Sequence, residues 1–247
     1  MTVDLRATTV AIEGHGGDHI EAYLAEPLGV DRVGGVVVIH HLPGYDEATK
    51  EITRKFAAQG YLAILPNLYS RDAPGASSDD AAALVRSQGG VPDARIVGDV
   101  GGAVAYLRRH PSSNAKVGVI GYCSGGRQTV LSACNLDVDA AVDCYGAFVM
   151  ADPPADSPFN FTSLAPILDN LSCPLLGLFG ADDKFPTPEQ GEQLGRVLAE
   201  HHKHFESHVY EGAGHAFFAV DRPSYRPEVA VQAWGEVWDF FGRYLSS

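Results

Sequence analysis

The chain has 247 residues, 45% of them hydrophobic, with 31 acidic against 18 basic side chains and a formal net charge of −13. That length suits one α/β domain over residues 1–247, and the acidic balance argues against a binder of nucleic acid or of anionic membranes. No apolar run approaches the roughly 20 residues that cross a bilayer, and "MTVDLRATTV" lacks the pattern of a signal peptide, so a cytoplasmic protein is expected.

"TTVAIEG" and "HIEAYLAEP", separated by "GHGGD", predict an antiparallel hairpin. "GGVVVIHH" is a β-branched run suited to a strand buried on both faces of a parallel sheet. "EATKEITRKFAAQG" has helical spacing and ends in Gly60, a C-cap candidate. "YLAILP" is the next buried strand, "DARIVGDVGGAVAYLRRH" a helix stopped by Pro111, "KVGVIGY" a strand and "GGRQTVLSACN" a helix. "DAAVDCYG", "PLLGLFG" and "HFESHVYEG" read as strands, with "PEQGEQLGRVLAEH" and "PEVAVQAWGEVWDFFGRYL" as helices. The alternation predicts a single α/β domain: a mostly parallel sheet of about eight strands, an N-terminal antiparallel hairpin, and helices on both faces. Two stretches, "YSRDAPGASSDDAAA" and "MADPPADSPFNFTSL", read as loops near the strand ends, where open α/β sheets bind ligands.

The chemistry concentrates in "GVIGYCSGG". A nucleophile elbow has the form GxSxG between strand and helix, because the turn admits only small neighbours. The frame centred on Cys123 has Gly121 and Gly125 in place, whereas the frame on Ser124 has Tyr122 and Gly126. Cys123 is therefore the candidate nucleophile, and Ser124 a candidate oxyanion donor through its backbone N–H. An isolated thiol is only a few per cent ionised near pH 7, so a base and an orienting acid must follow. His215 in "YEGAGHAFF" is the candidate base, and Asp183 in "GADD" the acid, with Asp182 competing for that role. The remaining cysteines, Cys134, Cys144 and Cys173, form no CxxC pair and read as small buried hydrophobes. "HHKH" at 201–204 falls at a helix end, where cations suit the dipole better than a metal explains them.

Taken together, "GYCSGG", "ILPNLYSRDAPG", "GADD", "YEGAGHAFF" and "CYG" resemble the dienelactone hydrolase family of α/β-hydrolases over most of residues 34–220. The resemblance implies an ester or lactone hydrolase that works through a thioester acyl-enzyme without metal or organic cofactor. Leu42 N–H in "HHLPG" would join Ser124 in the oxyanion hole, and Tyr145 would lie near the pocket. The sequence departs from the founding enzymes at His41, where they have a glutamate that helps activate the thiol; a histidine could pair with the thiol or bond to substrate. It departs again at Ala219, in place of a carboxylate-binding arginine; Arg222 stands three residues further on, and Arg86 lies near the place of a second arginine.

The expected function is thus hydrolysis of a small ester or lactone by Cys123, His215 and Asp183 in a monomer or small homo-oligomer. Alternatives are a narrow dienelactone hydrolase (carboxymethylenebutenolidase) of aromatic degradation, a promiscuous phosphoester hydrolase or acyl transferase, and a non-catalytic small-molecule binding module.

Overall fold

The computed structural model describes residues 4–246. The chain opens with β1 (Leu5–Glu13) and β2 (His19–Pro27), paired antiparallel with Leu5 opposite Pro27 and Glu13 opposite His19. There follow β3 (Val33–Ile39), α1 (Glu47–Ala58), β4 (Leu62–Pro66), α2 (Ser78–Ser87), α3 (Asp93–Arg109), β5 (Ser113–Tyr122), α4 (Ser124–Asn135) and β6 (Ala140–Cys144). A short 3₁₀ turn at Ala165–Asn170 precedes β7 (Leu175–Gly180), α5 (Pro188–Glu200), β8 (Phe205–Tyr210) and α6 (Pro227–Leu245). The eight strands form one sheet in the order β1-β2-β4-β3-β5-β6-β7-β8, parallel from β4 to β8.

The apolar runs are buried on both faces because successive side chains of a strand point to opposite sides. In β3, Val36 and Val38 pack with Phe56 of α1 and with Trp234, Val237 and Phe241 of α6. Val37 and Ile39 face the other way, onto Ile96, Val100 and Leu107 of α3. No helix among the described residues is long and apolar enough to cross a membrane.

The element boundaries follow local chemistry. Asp46 caps α1 by accepting the Thr49 N–H at 2.8 Å, and Gly60, one residue past the C-cap Gln59, takes φ = 90° as the helix ends. Two elements differ from the sequence expectation. The stretch read as a loop around "ASSDDAAA" contains α2: Ser77 caps it by accepting from the Asp80 N–H, and Ala81, Ala82 and Val85 form a buried stripe. Its polar start resembles a turn because cap residues and turn residues are the same types. Strand β5 also begins before Lys116, at Ser113, which pairs with Val33 across an irregular register that includes Ala115 at φ = 70°.

The C-terminal ends of the parallel strands converge on one edge of the sheet. There β3 delivers His40 to Leu42, β5 delivers Cys123, β6 delivers Tyr145, and the segments after β7 and β8 deliver Asp183 and His215. Such an edge is where open α/β sheets bind ligands.

Candidate active site

Cys123 joins β5 to α4 at φ = 57° and ψ = −117°, a conformation that costs a non-glycine residue of order 1–3 kcal/mol. The turn is held by Cys123 N–H donating to the Cys144 carbonyl at 3.0 Å and by Gly126 N–H donating to the Cys123 carbonyl at 3.0 Å. The flanking glycines are sterically required. A Cβ on Gly121 would collide with the Gly125 carbonyl, and one on Gly125 would lie 2.5 Å from the Ile39 carbonyl oxygen. Cys123 is partly exposed, whereas Cys134, Cys144 and Cys173 are buried. Burial pushes the Cys134 and Cys173 thiols up to about 12, which leaves them protonated and inert.

His215 lies with Cys123 on the wall of a cavity of about 660 Å³. Its Nδ1 is 2.9 Å from Asp183 Oδ2, and the other Asp183 oxygen accepts the Phe185 N–H at 2.9 Å. Asp183 is 6% exposed, while Asp182 is exposed to solvent; the acid that meets His215 is Asp183. Burial alone would lower the His215 pKa, but the Asp183 carboxylate and the neighbouring Cys123 sulfur outweigh it and push it up to about 10. The Tyr145 ring, buried, meets the imidazole edge-on with centroids 5.1 Å apart.

The segment after β3 is fixed by two histidines. His40 is buried and neutral, its pKa lowered to about 4 by desolvation. Its Nε2 accepts the Leu68 N–H at 3.3 Å, so its Nδ1 donates to the His41 carbonyl at 2.9 Å. His41 lines the cavity with Cys123, and its Nε2 is held 2.8 Å from Asp46 Oδ2. Burial would raise the Asp46 carboxyl, but hydrogen bonds from His41 and Thr49 keep it at about 2. His41 is therefore an anchored part of the cavity wall, with its Nε2 already partnered. Leu42 follows it and borders the same cavity.

Arg86 and Arg222 both line that cavity. Arg222 arrives there because the chain after His215 coils tightly, with Arg222 N–H donating to Ala219, Tyr225 N–H to Arg222 and Arg226 N–H to Phe217. At "HHKH", His201 is the C-cap of α5 and His204 pairs with Glu206 at 2.8 Å.

A second cavity of about 410 Å³ shares Cys123, Leu42 and Arg86 with the first. The stretch "MADPPADSPFNFTSL", read from the sequence as a loop near the strand ends, supplies Pro158, Phe159 and Phe161 to its wall, but sequence reasoning missed Arg127. Arg127, 3% exposed, makes a two-pronged pair with Asp93 at 2.8 and 2.9 Å, donates to the Thr162 carbonyl at 2.7 Å, and lies 4.2 Å over the Phe161 ring. The available signal was its position: a cation in the first turn of α4 opposes the helix dipole and needs a partner.

The model of the dienelactone hydrolase family matches residues 20–245. The chain belongs to the dienelactone hydrolase family. A Synechocystis sp. relative with the provisional name carboxymethylenebutenolidase is 32% identical over 250 residues, covering 98% of both chains. A Bradyrhizobium sp. protein provisionally named 2-oxo-3-(5-oxofuran-2-ylidene)propanoate lactonase is 28% identical, covering 90% of this chain and 88% of that one. A crystal structure of a provisionally named dienelactone hydrolase from Klebsiella pneumoniae superposes with a TM-score of 0.84 at 29% identity, covering 98% of this chain and 100% of that one. As a dienelactone hydrolase family member the chain is an ester or lactone hydrolase.

Proposed function

We propose that the protein hydrolyses carboxylic esters or lactones through a Cys123–His215–Asp183 triad and a thioester intermediate. The observation that carries this reading is a thiol on a strained elbow sharing one cavity with an imidazole that Asp183 holds at 2.9 Å. Asp183 fixes the tautomer of His215 and favours its cation. In this reading His215, whose pKa is raised, takes the Cys123 proton and so supplies the nucleophile.

The thiolate adds to the carbonyl carbon, and the oxyanion is received by the Leu42 and Ser124 N–H groups, neither of which has an acceptor among the described residues. Collapse breaks the C–O bond, and the His215 proton passes to the leaving oxygen. Water then gives a proton to His215 and adds to the thioester; the C–S bond breaks, releasing the acid and restoring the thiolate. No metal or organic cofactor enters this scheme. Rapid acid quenching with p-nitrophenyl acetate, followed by peptide mass spectrometry, is expected to find an acetyl group on Cys123. Normal turnover with the adduct on another residue would overturn the reading.

The placement of Arg86 and Arg222 favours a second, narrower reading, a carboxymethylenebutenolidase acting on carboxylated lactones, the activity in the name of the Synechocystis relative. A charge-assisted hydrogen bond contributes about 1.5–3 kcal/mol. Arg86→Ala with Arg222→Ala is therefore expected to raise KM for a carboxylated lactone by about 10- to 100-fold while changing that of a neutral ester far less. Equal effects on both substrates would remove the narrow reading.

A further inference from the structure

The two cavities meet at Cys123 but differ in what surrounds them. His215 lines the first, with His41 and Arg222; the second lacks His215 and is walled by Tyr69, Phe148, Phe159 and Phe161. If Cys123 is the nucleophile, as proposed above, this asymmetry orients the substrate. The leaving oxygen must receive its proton from His215, so the leaving group occupies the first cavity. The acyl substituent, on the opposite side of the carbonyl carbon, is then directed past Leu42 and Ser124 into the second.

The wall of that second cavity is joined by several contacts. Phe159 and Phe161 stack with centroids 5.1 Å apart and planes 24° from parallel, and Phe148 lies 6.1 Å from Phe161. Arg127 pins Phe161 from beneath while its own charge is matched by Asp93. Asn160 N–H donates to the Gly89 carbonyl at 2.9 Å, which ties the aromatic segment to the turn after α2. Aromatic walls favour a flat, polarisable guest through offset and edge contacts, and a space of about 410 Å³ is within the size range of small-molecule sites.

We propose that the second cavity is the acyl subsite and takes an aryl or arylalkyl group, so that the enzyme acts on esters and lactones of aromatic-bearing acids. The Arg127–Asp93 pair positions its wall. In turnover of such an ester the arylacyl carbon forms its C–S bond with Cys123 as the C–O bond breaks, the His215 proton leaves with the alcohol, and water later releases the arylalkanoic acid.

The test compares p-nitrophenyl 3-phenylpropionate with p-nitrophenyl acetate, which share a leaving group and an alkyl-bearing carbonyl. The ratio of their kcat/KM values is expected to be roughly 10- to 100-fold in favour of the aryl substrate, the range typical of filling an apolar pocket. Phe161→Ala is expected to compress this ratio toward one, with Phe159→Ala as a second probe of the same wall if the first folds poorly by circular dichroism. A wild-type ratio of one or less, with Cys123 still acetylated during turnover, would overturn the acyl subsite and leave the thioester reading standing. A large ratio untouched by either phenylalanine variant would also overturn the subsite. Full turnover of both esters by Cys123→Ala would instead remove the reading on which it rests.

Discussion

Cys123→Ala is expected to lower kcat/KM for p-nitrophenyl esters by about 10⁴- to 10⁶-fold, the loss that follows removal of a covalent nucleophile. The size of the effect comes from the arrangement around the thiol. His215 and Leu42 line the cavity that Cys123 borders, and in the proposed mechanism the thiol at the elbow is the group aligned to attack, whereas water in that space would be a weaker nucleophile without the same alignment. The fold should tolerate the change, since Cys123 is partly exposed and alanine is smaller. Its positive φ is equally strained for both residues. A melting temperature close to wild type combined with lost turnover is therefore the expected pair of results. Retention of more than a tenth of the activity by a folded Cys123→Ala protein would rule out thiol chemistry.

Asp183→Asn is expected to reduce kcat/KM by about 10⁴-fold, because an amide can donate toward Nδ1 and so favour the wrong imidazole tautomer. The same substitution has a signature in stability. His215 is raised from its ordinary 6.5 to about 10, so its protonation favours the folded state. That contribution is complete below about pH 6.5 and is lost as the pH climbs through about 10. Asp183→Asn removes the hydrogen bond that produces much of the shift. The stability gap between wild type and variant, followed by urea unfolding at a series of pH values, is expected to be widest near pH 6 and to narrow steadily toward pH 10. A gap that stayed constant over this window would mean that Asp183 holds the loop without acting on the imidazole charge.

The parallel sheet was legible because buried strands are written as continuous apolar runs, as in the "VVVI" of β3 and the "LAILP" of β4. The elbow was legible because its steric demand is local: the residues that crowd Gly121 and Gly125 make the pattern of small neighbours obligatory. Helix α2 was not, since its first turn is built from residues that serve caps and turns alike. Between Asp182 and Asp183 sequence spacing could only express a preference, because the difference is one of burial at the end of β7. The His41–Asp46 pair was hidden for another reason. The sequence suggested for His41 only the thiol or the substrate as partners, and only the folded chain shows that the carboxylate capping α1 also holds it. Arg127, Asp93 and Phe161 come from three distant segments, so no short motif could announce them.

Asp46 reaches in two directions, one oxygen accepting from the Thr49 N–H that starts α1 and the other holding His41 beside Leu42. The His41 side chain, and with it the chain leading into Leu42, is thereby tied to the first turn of a helix. Fraying of that single turn would loosen the proposed oxyanion donor while the sheet stayed intact. If Leu42 is that donor, a variant weakened at the start of α1 is expected to lose turnover on heating before its sheet unfolds.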